Sequence, residues 1–260
     1  MGSSIRFLIL PLMLFALLAI PGSTAPRSYP NAIAGLGDSI TQAANTCCEP
    51  GSYPAQSWST GDGLSDGIRS HYERLEALYP QMSNNNYNNS ANGAKAADLP
   101  VQASMAVAQK ADYVTVLIGA NDLCASSASA MTSTTDFASQ IKTALDALHH
   151  GLPQARIYVS SIPDIHHLWS LFRADEKPGR VWAANGTCPS MLGAAVTGSQ
   201  RQEVVNRETA FNKILADTCA QYKNCHWDGA PCTPTSSLPT KSAPWTTSTP
   251  APTARPHWPN

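Results

Sequence analysis

The chain has 260 residues, 17 of them basic and 18 acidic, for a formal net charge of -1. It is 43% hydrophobic and only 13% charged. That length suits one domain with a full core, and the balanced charge, without a basic stripe, excludes nucleic acid as a partner. Substrate recognition dominated by charge is not expected either.

The first 25 residues read as a leader. Arg6 supplies a positive start, Phe7 to Ile20 is an apolar run broken by Pro11, and small residues Gly22, Ser23, Thr24 and Ala25 follow. A short apolar core with a small-residue exit is the pattern of a secretory signal peptide cut near Ala25. The run is shorter than the ~20 residues a spanning helix requires. The mature chain is therefore expected to be extracellular, monomeric and without stable membrane insertion.

Ala32 to Leu36 is an apolar run ending in Gly37-Asp38-Ser39, and it predicts a buried first strand. Ile68 to Leu78 carries helical spacing. Asn84 to Ser90 is a polar candidate strand around Tyr87. Leu99 to Ala111 predicts a helix with Pro100 in its first turn. Tyr113 to Ile118 predicts a β-branched strand ending in Gly119-Ala120-Asn121-Asp122. A helix over Phe137 to His149, a strand over Arg156 to Ile162 and a long helix over Gln200 to Tyr222 complete the body. Strands alternating with helices imply a three-layer α/β/α sandwich, with a central, mainly parallel sheet of about five strands. In such sheets ligands gather at the carboxyl ends of the strands.

Seven cysteines are present: Cys47, Cys48, Cys124, Cys188, Cys219, Cys225 and Cys232. None are spaced like a zinc ribbon; no metal and no cofactor is expected. An exported chain would pair them as disulfides, with Cys219–Cys225 and Cys124–Cys188 as plausible bridges.

Three polar blocks sit at predicted strand ends. A serine just past a strand gains backbone N–H groups aimed at an anion, and Gly37 allows close approach of the backbone to Ser39. The segment is not the Gly-x-Ser-x-Gly elbow, since Thr41 stands where glycine would. Gly93, in Ser90-Ala91-Asn92-Gly93-Ala94, can present its N–H without side-chain interference; an ordinary turn is the competing reading. Asn121 can donate a side-chain N–H to the same oxygen, and it can also serve as a helix cap. Trp58 and Trp169 are candidates for an apolar acyl groove or for the core.

Together, in this order, these blocks resemble the GDSL/SGNH hydrolase family over Ala32 to about Asp228. Ser57-Trp58-Ser59-Thr60-Gly61, Ser70-His71-Tyr72 and Ser161-Ile162-Pro163-Asp164 are similar to secreted actinobacterial members. The resemblance implies an SGNH hydrolase domain over 26–228 that cleaves acyl esters of small molecules or lipids without a metal. It implies Ser39 as nucleophile, and an oxyanion hole made of the Ser39 and Gly93 N–H groups and the Asn121 side chain.

The family's fourth block, Asp-x-x-His, is missing as written. No acidic residue follows Asp228. The literal Asp-x-x-His is Asp164-Ile165-His166-His167, placed before the long helix, so Asp164 and His167 are stand-ins for the orienting acid and the base. The tail 229–260 holds eight Pro and eleven Ser or Thr, and reads as a Pro/Thr-rich extension. A one-base shift of reading frame is the alternative. Across Trp245-Thr246 it forces an Asp codon. With suitable third bases it goes on through Tyr, Phe and His to Pro at Pro250, followed by the opening of a last helix. Such a shift would also remove Cys232 and leave an even number of cysteines. Unshifted, the chain would be an impaired relative that binds ligands or is inert.

Overall fold

The computed structural model describes residues 29–229, apart from 48 and 65. The expected leader and the tail beyond Gly229 lie outside the described residues.

Five strands form one sheet: β1 (Ile33–Gly37), β2 (Asn86–Asn88), β3 (Tyr113–Leu117), β4 (Arg156–Val159) and β5 (Cys225–Trp227), in the order β2-β1-β3-β4-β5. All four pairings are parallel. The register sets Gly35 beside Thr115 and Gly37 beside Leu117. Eight α-helices connect the strands: α1 (His71–Glu76), α2 (Leu99–Ala108), α3 (Ala120–Leu123), α4 (Thr134–Gly151), α5 (Ile165–Phe172), α6 (Glu176–Asn185), α7 (Pro189–Leu192) and α8 (Gly198–Cys219).

The period of two in the strands divides the sheet into unlike faces. Ala34, Leu36, Val114, Val116, Ile157 and Val159 are buried in the main core, with Ala103 and Ala106 of α2, Phe137, Ile141 and Leu145 of α4, and Phe211 and Leu215 of α8. The Phe137 and Phe211 rings stack with centroids 3.8 Å apart. Each fully buried Val, Leu, Ile or Phe side chain of this core contributes roughly 1.5–3 kcal/mol.

The opposite face is mixed: Ile33 packs there with Tyr72 and Met82 in a smaller apolar cluster, beside buried polar contacts. Thr115 Oγ1 lies 2.5 Å from Ser59 Oγ, and His71 Nδ1 lies 2.9 Å from the Tyr113 hydroxyl. Residues 57–60 and α1 cover this face over β1 and β3. Over β4 and β5 it is more open among the described residues, with Arg156 and His226 exposed and Tyr158 half-buried.

Several boundaries differ from the sequence reading. The first helix begins at His71, not Ile68, because Ser70 caps it: Ser70 Oγ accepts from Glu73 N and Glu73 returns the bond to Ser70 N. The fourth strand stops at Val159. The segment after it, carrying no predicted element, folds as α5, α6 and α7. Cys124–Cys188 and Cys219–Cys225 are both bonded as expected. Cys47 is also disulfide-bonded, whereas Cys48 and Cys232 lie outside the described residues. No described helix is long and apolar enough to cross a membrane.

Candidate active site

The strand order places the ends of β2, β1 and β3 side by side, and each end carries one polar block. Gly37 closes β1 with φ of 150°. A Cβ there would lie 2.2 Å from the Leu117 carbonyl oxygen, so only glycine fits this close approach of strands. The chain then turns through Asp38, Ser39 and Ile40, with Gln42 N donating to Asp38 O at 3.1 Å and Ala44 N to Ser39 O at 2.9 Å. Ser39 is half-buried at the head of this turn.

Gly93 is exposed with φ of 77°, and nothing lies within 4 Å of where its Cβ would be. Its N–H therefore belongs to an open, unencumbered loop. Asn121 lies in α3 and donates from Nδ2 to Ala94 O at 2.9 Å. A primary amide has two N–H groups, so one remains for a substrate oxygen.

Backbone and side-chain hydrogen bonds stitch the blocks together. Ala91 N donates to Gly37 O at 3.1 Å. Gln42 Nε2 donates to Ser90 O, and Asn88 Nδ2 donates to Thr41 O at 3.0 Å. Gln102, from α2, accepts from Gly37 N at 2.7 Å and donates to Gly37 O at 2.9 Å. Asp122 Oδ2 accepts from Ala96 N at 2.9 Å. The sequence reading missed Gln102, Gln42 and the fixing role of Asp122. One signal was available: Gln102 is a polar residue within the buried stripe of Leu99, Ala103 and Ala106.

Two carboxyls lie buried beside the serine turn. Asp38 is fully buried; desolvation, and to a lesser extent the charge of Asp122, pushes it up to about 6. Burial also raises Asp122.

Asp164 and His167 form a helix cap. Asp164 Oδ1 accepts from the His167 backbone N–H at 2.7 Å, while the His167 side chain is exposed. Here the Asp-x-x-His spacing builds the start of α5. The loop before it is held from α8: Asn212 Oδ1 accepts from Ile162 N at 2.9 Å. Glu208, one turn earlier, faces Ile165 and Asp164, and burial pushes it up to about 8. Other histidines are engaged elsewhere. His71 packs against Tyr113, Tyr158 and Trp58, and burial lowers its pKa. His149 pairs with Asn224, and His150 with Asp146 O.

Trp58 donates to Thr41 Oγ1 at 3.3 Å, which ties it to the frame of the site. Trp169 lines a cavity of about 830 Å³ with Phe172, Trp182 and Arg201. Arg201 sits 4.4 Å over the Trp169 ring and donates to Met191 O, Gly193 O and Val196 O. A smaller cleft of about 520 Å³ runs beside Gly93, between Ala91, Asn92, Val101, Gln102 and Met105. The larger of these two cavities is thus not lined by the serine block, whereas the smaller borders the Gly93 loop.

A family model described as GDSL-like Lipase/Acylhydrolase matches residues 33–245. The chain belongs to the GDSL-like lipase/acylhydrolase family. For a GDSL-like chain the lineage is ester hydrolysis, and the match starts in β1 and runs past the last described residue into the tail. Two curated relatives are similar to it: membrane-associated phospholipase B1 of Rattus norvegicus, 27% identical, and that of Mus musculus, 29% identical, each over 213 residues. The aligned region covers 70% of this chain, yet the chain spans only 15% and 14% of those relatives. Among solved structures, an extracellular lipase from Streptomyces rimosus is 16% identical, with a TM-score of 0.39 over 75% of this chain and 78% of that one. Phospholipase A1 from Streptomyces albidoflavus NA297 is 16% identical, with a TM-score of 0.34 over 76% and 78%. Similarities of that strength carry no argument about the reaction.

Proposed function

We propose that this GDSL-like domain, residues 26–228, hydrolyses acyl esters of small molecules or lipids outside the cell, through an acyl-enzyme on Ser39. The observation that carries the reading is the convergence of three donors' blocks at adjacent strand ends. Ser39 heads the turn after β1, Gly93 lies in the open loop after β2, and Asn121 follows β3 with one N–H uncommitted. In the reaction the Ser39 hydroxyl adds to the ester carbonyl. The oxygen's developing charge falls to the Ser39 and Gly93 N–H groups and the Asn121 amide. The Ser39 proton passes through a general base to the leaving alcohol, and water then hydrolyses the acyl-enzyme, releasing the acid and restoring the Ser39 hydroxyl. The signal peptide reading of residues 1–25 and the disulfides Cys124–Cys188 and Cys219–Cys225 support an oxidising, extracellular destination. Neither a cofactor nor a metal has a step in this reaction.

The base is the unfilled role, and one observation favours a specific answer. Asp164 is spent as a helix cap, and the chain leaves β5 at Asp228 at the carboxyl end of the sheet, the end at which Ser39 follows β1. Asp228 fastens that exit to the end of β4, accepting from Ser161 N at 2.9 Å and Ser161 Oγ at 3.0 Å. A base carried by the following segment would start from that end of the sheet, and the shifted reading of the tail supplies an Asp and a His in its sequence. The polypeptide as written is then an impaired hydrolase, and a triad site missing a member keeps only ~10³–10⁴-fold catalysis over water.

The experiment is hydrolysis of a short-chain p-nitrophenyl ester by the chain as written and by the chain with its tail put back in frame. The reading expects weak turnover in the first, robust turnover in the second, and loss of the latter on Ser39→Ala. Sequencing the gene provides an independent check: the codons of Thr246, Thr247 and Ser248 must end in T, T and C. Full turnover in the chain as written that vanishes on His167→Ala would overturn the assignment of the base.

A further inference from the structure

Gly93 lies in an exposed loop with nothing within 4 Å of where its Cβ would be, so side-chain packing does not hold it in place. Its position has to come from anchors on either side. Beyond it, Asn121 holds Ala94 O and Asp122 holds Ala96 N, each at 2.9 Å. Before it stands Asn88, the last residue of β2. Both ends of its amide are used. Asn88 Nδ2 donates to Thr41 O at 3.0 Å, and Asn88 Oδ1 accepts from Ser90 N at 3.2 Å and from Ser90 Oγ. Gln42 crosses the same gap from the other side. Its Nε2 donates to Ser90 O and, at 3.4 Å, to Asn88 Oδ1. Thr41 and Gln42 belong to the turn that carries Ser39, which Gln42 N closes on Asp38 O. Two side-chain amides thus tie the serine turn to the start of the Gly93 loop. Both residues are half-buried, so what they supply is these bonds and not core packing.

We propose that Asn88 and Gln42 are positioning residues that set the spacing between the Ser39 hydroxyl and the Gly93 N–H. The proposal rests on the reading of Ser39 as nucleophile. An oxyanion donor stabilises the transition state best when it is in place before the charge develops, because no reorganisation is then needed. A misplacement of ~1 Å costs up to about a hundredfold in rate. Neither amide touches the ester or carries a proton of the reaction. With both removed, the seam keeps its backbone bond from Ala91 N to Gly37 O, so the fold survives while the spacing relaxes. The residual rate of a site without its base comes from the oxyanion hole and from binding. The effect is therefore measurable in the chain as it stands.

The test uses full-length chain labelled with ¹⁵N-glycine, as native protein and as Asn88→Ala, Gln42→Ala and the double variant. The Gly93 amide resonance, assigned by its loss in Gly93→Ala, should move in each single variant, while that of Gly151 in α4 stays in place. In residual hydrolysis of p-nitrophenyl acetate, each single variant should lower kcat about tenfold to a hundredfold with KM near the native value. The double variant should be little slower than the worse single, since both amides hold one seam. A merely structural role predicts the reverse pattern: an unmoved Gly93 amide in the folded fraction, and a kcat loss that follows the fraction unfolded and disappears on cooling. That pattern, a native kcat in Asn88→Ala, or losses that multiply in the double variant would overturn the proposal. If Asn88→Ala does not fold, Gln42→Ala decides. The Gly93 resonance needs no turnover, so it decides even where the residual rate is too small to divide into kcat and KM. An unmoved Gly93 amide alongside Ser39-dependent turnover sinks this inference alone. A moved one in a protein whose turnover survives Ser39→Ala sinks the functional reading.

Discussion

Gln102 grips both backbone groups of Gly37, accepting its N–H at 2.7 Å and donating to its carbonyl at 2.9 Å. This contact spans 65 residues of sequence and fixes the last residue of β1, one residue before Asp38 and two before Ser39. A leucine at 102 would fit the helix but leave the buried Gly37 N–H without an acceptor. Gln102→Leu should destabilise the protein by about 1–3 kcal/mol in urea denaturation. A change below ~0.5 kcal/mol would mean that the grip holds nothing.

Asn121 carries two duties on one amide. Asn121→Asp preserves shape but has no donor, and Asn121→Ala removes the amide altogether, so both lose the donor to the oxyanion and both release Ala94 O. In the frame-restored chain, both should lower kcat for a p-nitrophenyl ester by about 10²–10³-fold, with a smaller effect on KM. A KM effect alone would place Asn121 in substrate binding instead of charge stabilisation.

Glu208 makes stability depend on pH in a direction opposite to a salt-bridged acid. Its folded-state pKa is raised from 4.5 to about 8 by burial, with Asp164 adding to the effect. The folded state keeps this proton when the unfolded chain has lost it. Its contribution is complete below the unfolded pKa and disappears as pH rises toward 8. Glu208→Gln removes the charge and should flatten the stability profile between pH 5 and 8, leaving the variant more stable than native protein at pH 8. The loss avoided is at most ~5 kcal/mol. Denaturation midpoints across that range measure it, and parallel profiles for variant and native protein would contradict it.

The disulfides should differ in weight. Cys124–Cys188 closes a loop with a sequence separation of 64, and Cys219–Cys225 one of 6. Chain-entropy arguments give roughly 4 kcal/mol for the longer loop and roughly 2 kcal/mol for the shorter. Paired alanine replacement at 124 and 188 should therefore lower stability about twice as much as replacement at 219 and 225. Equal losses would show that native contacts at the bridges outweigh loop closure.

The fold was legible wherever period and length agreed. Phe137, Ile141, Leu145 and Leu148 mark α4 at helical spacing, and the β-branched run of β3 marks a buried strand. The placement of the three candidate blocks at neighbouring strand ends was legible, because a parallel sheet gathers its carboxyl ends. The region from Ile165 to Leu192 was not legible. Helix α5 leaves Leu171 and Phe172 exposed, so its apolar residues do not outline a core-facing stripe. Strand β5 has three residues, too few for alternation, and it is held next to α8 by Cys219–Cys225. Gln102 escaped because a polar residue inside an apolar stripe looks like a pattern error until its partner across the sheet is known. Asp164 and His167 entered only as stand-ins for a catalytic pair, because helix capping and base orientation use the same spacing.

The most direct test is ester turnover by the frame-restored chain beside the chain as written, each with Ser39 and with Ser39→Ala. The account predicts a gain of a thousandfold or more on restoring the frame, in keeping with the ~10⁴–10⁶-fold cost of losing triad members, and loss of that gain on Ser39→Ala. Equal rates from both chains, or turnover that survives Ser39→Ala, would contradict it.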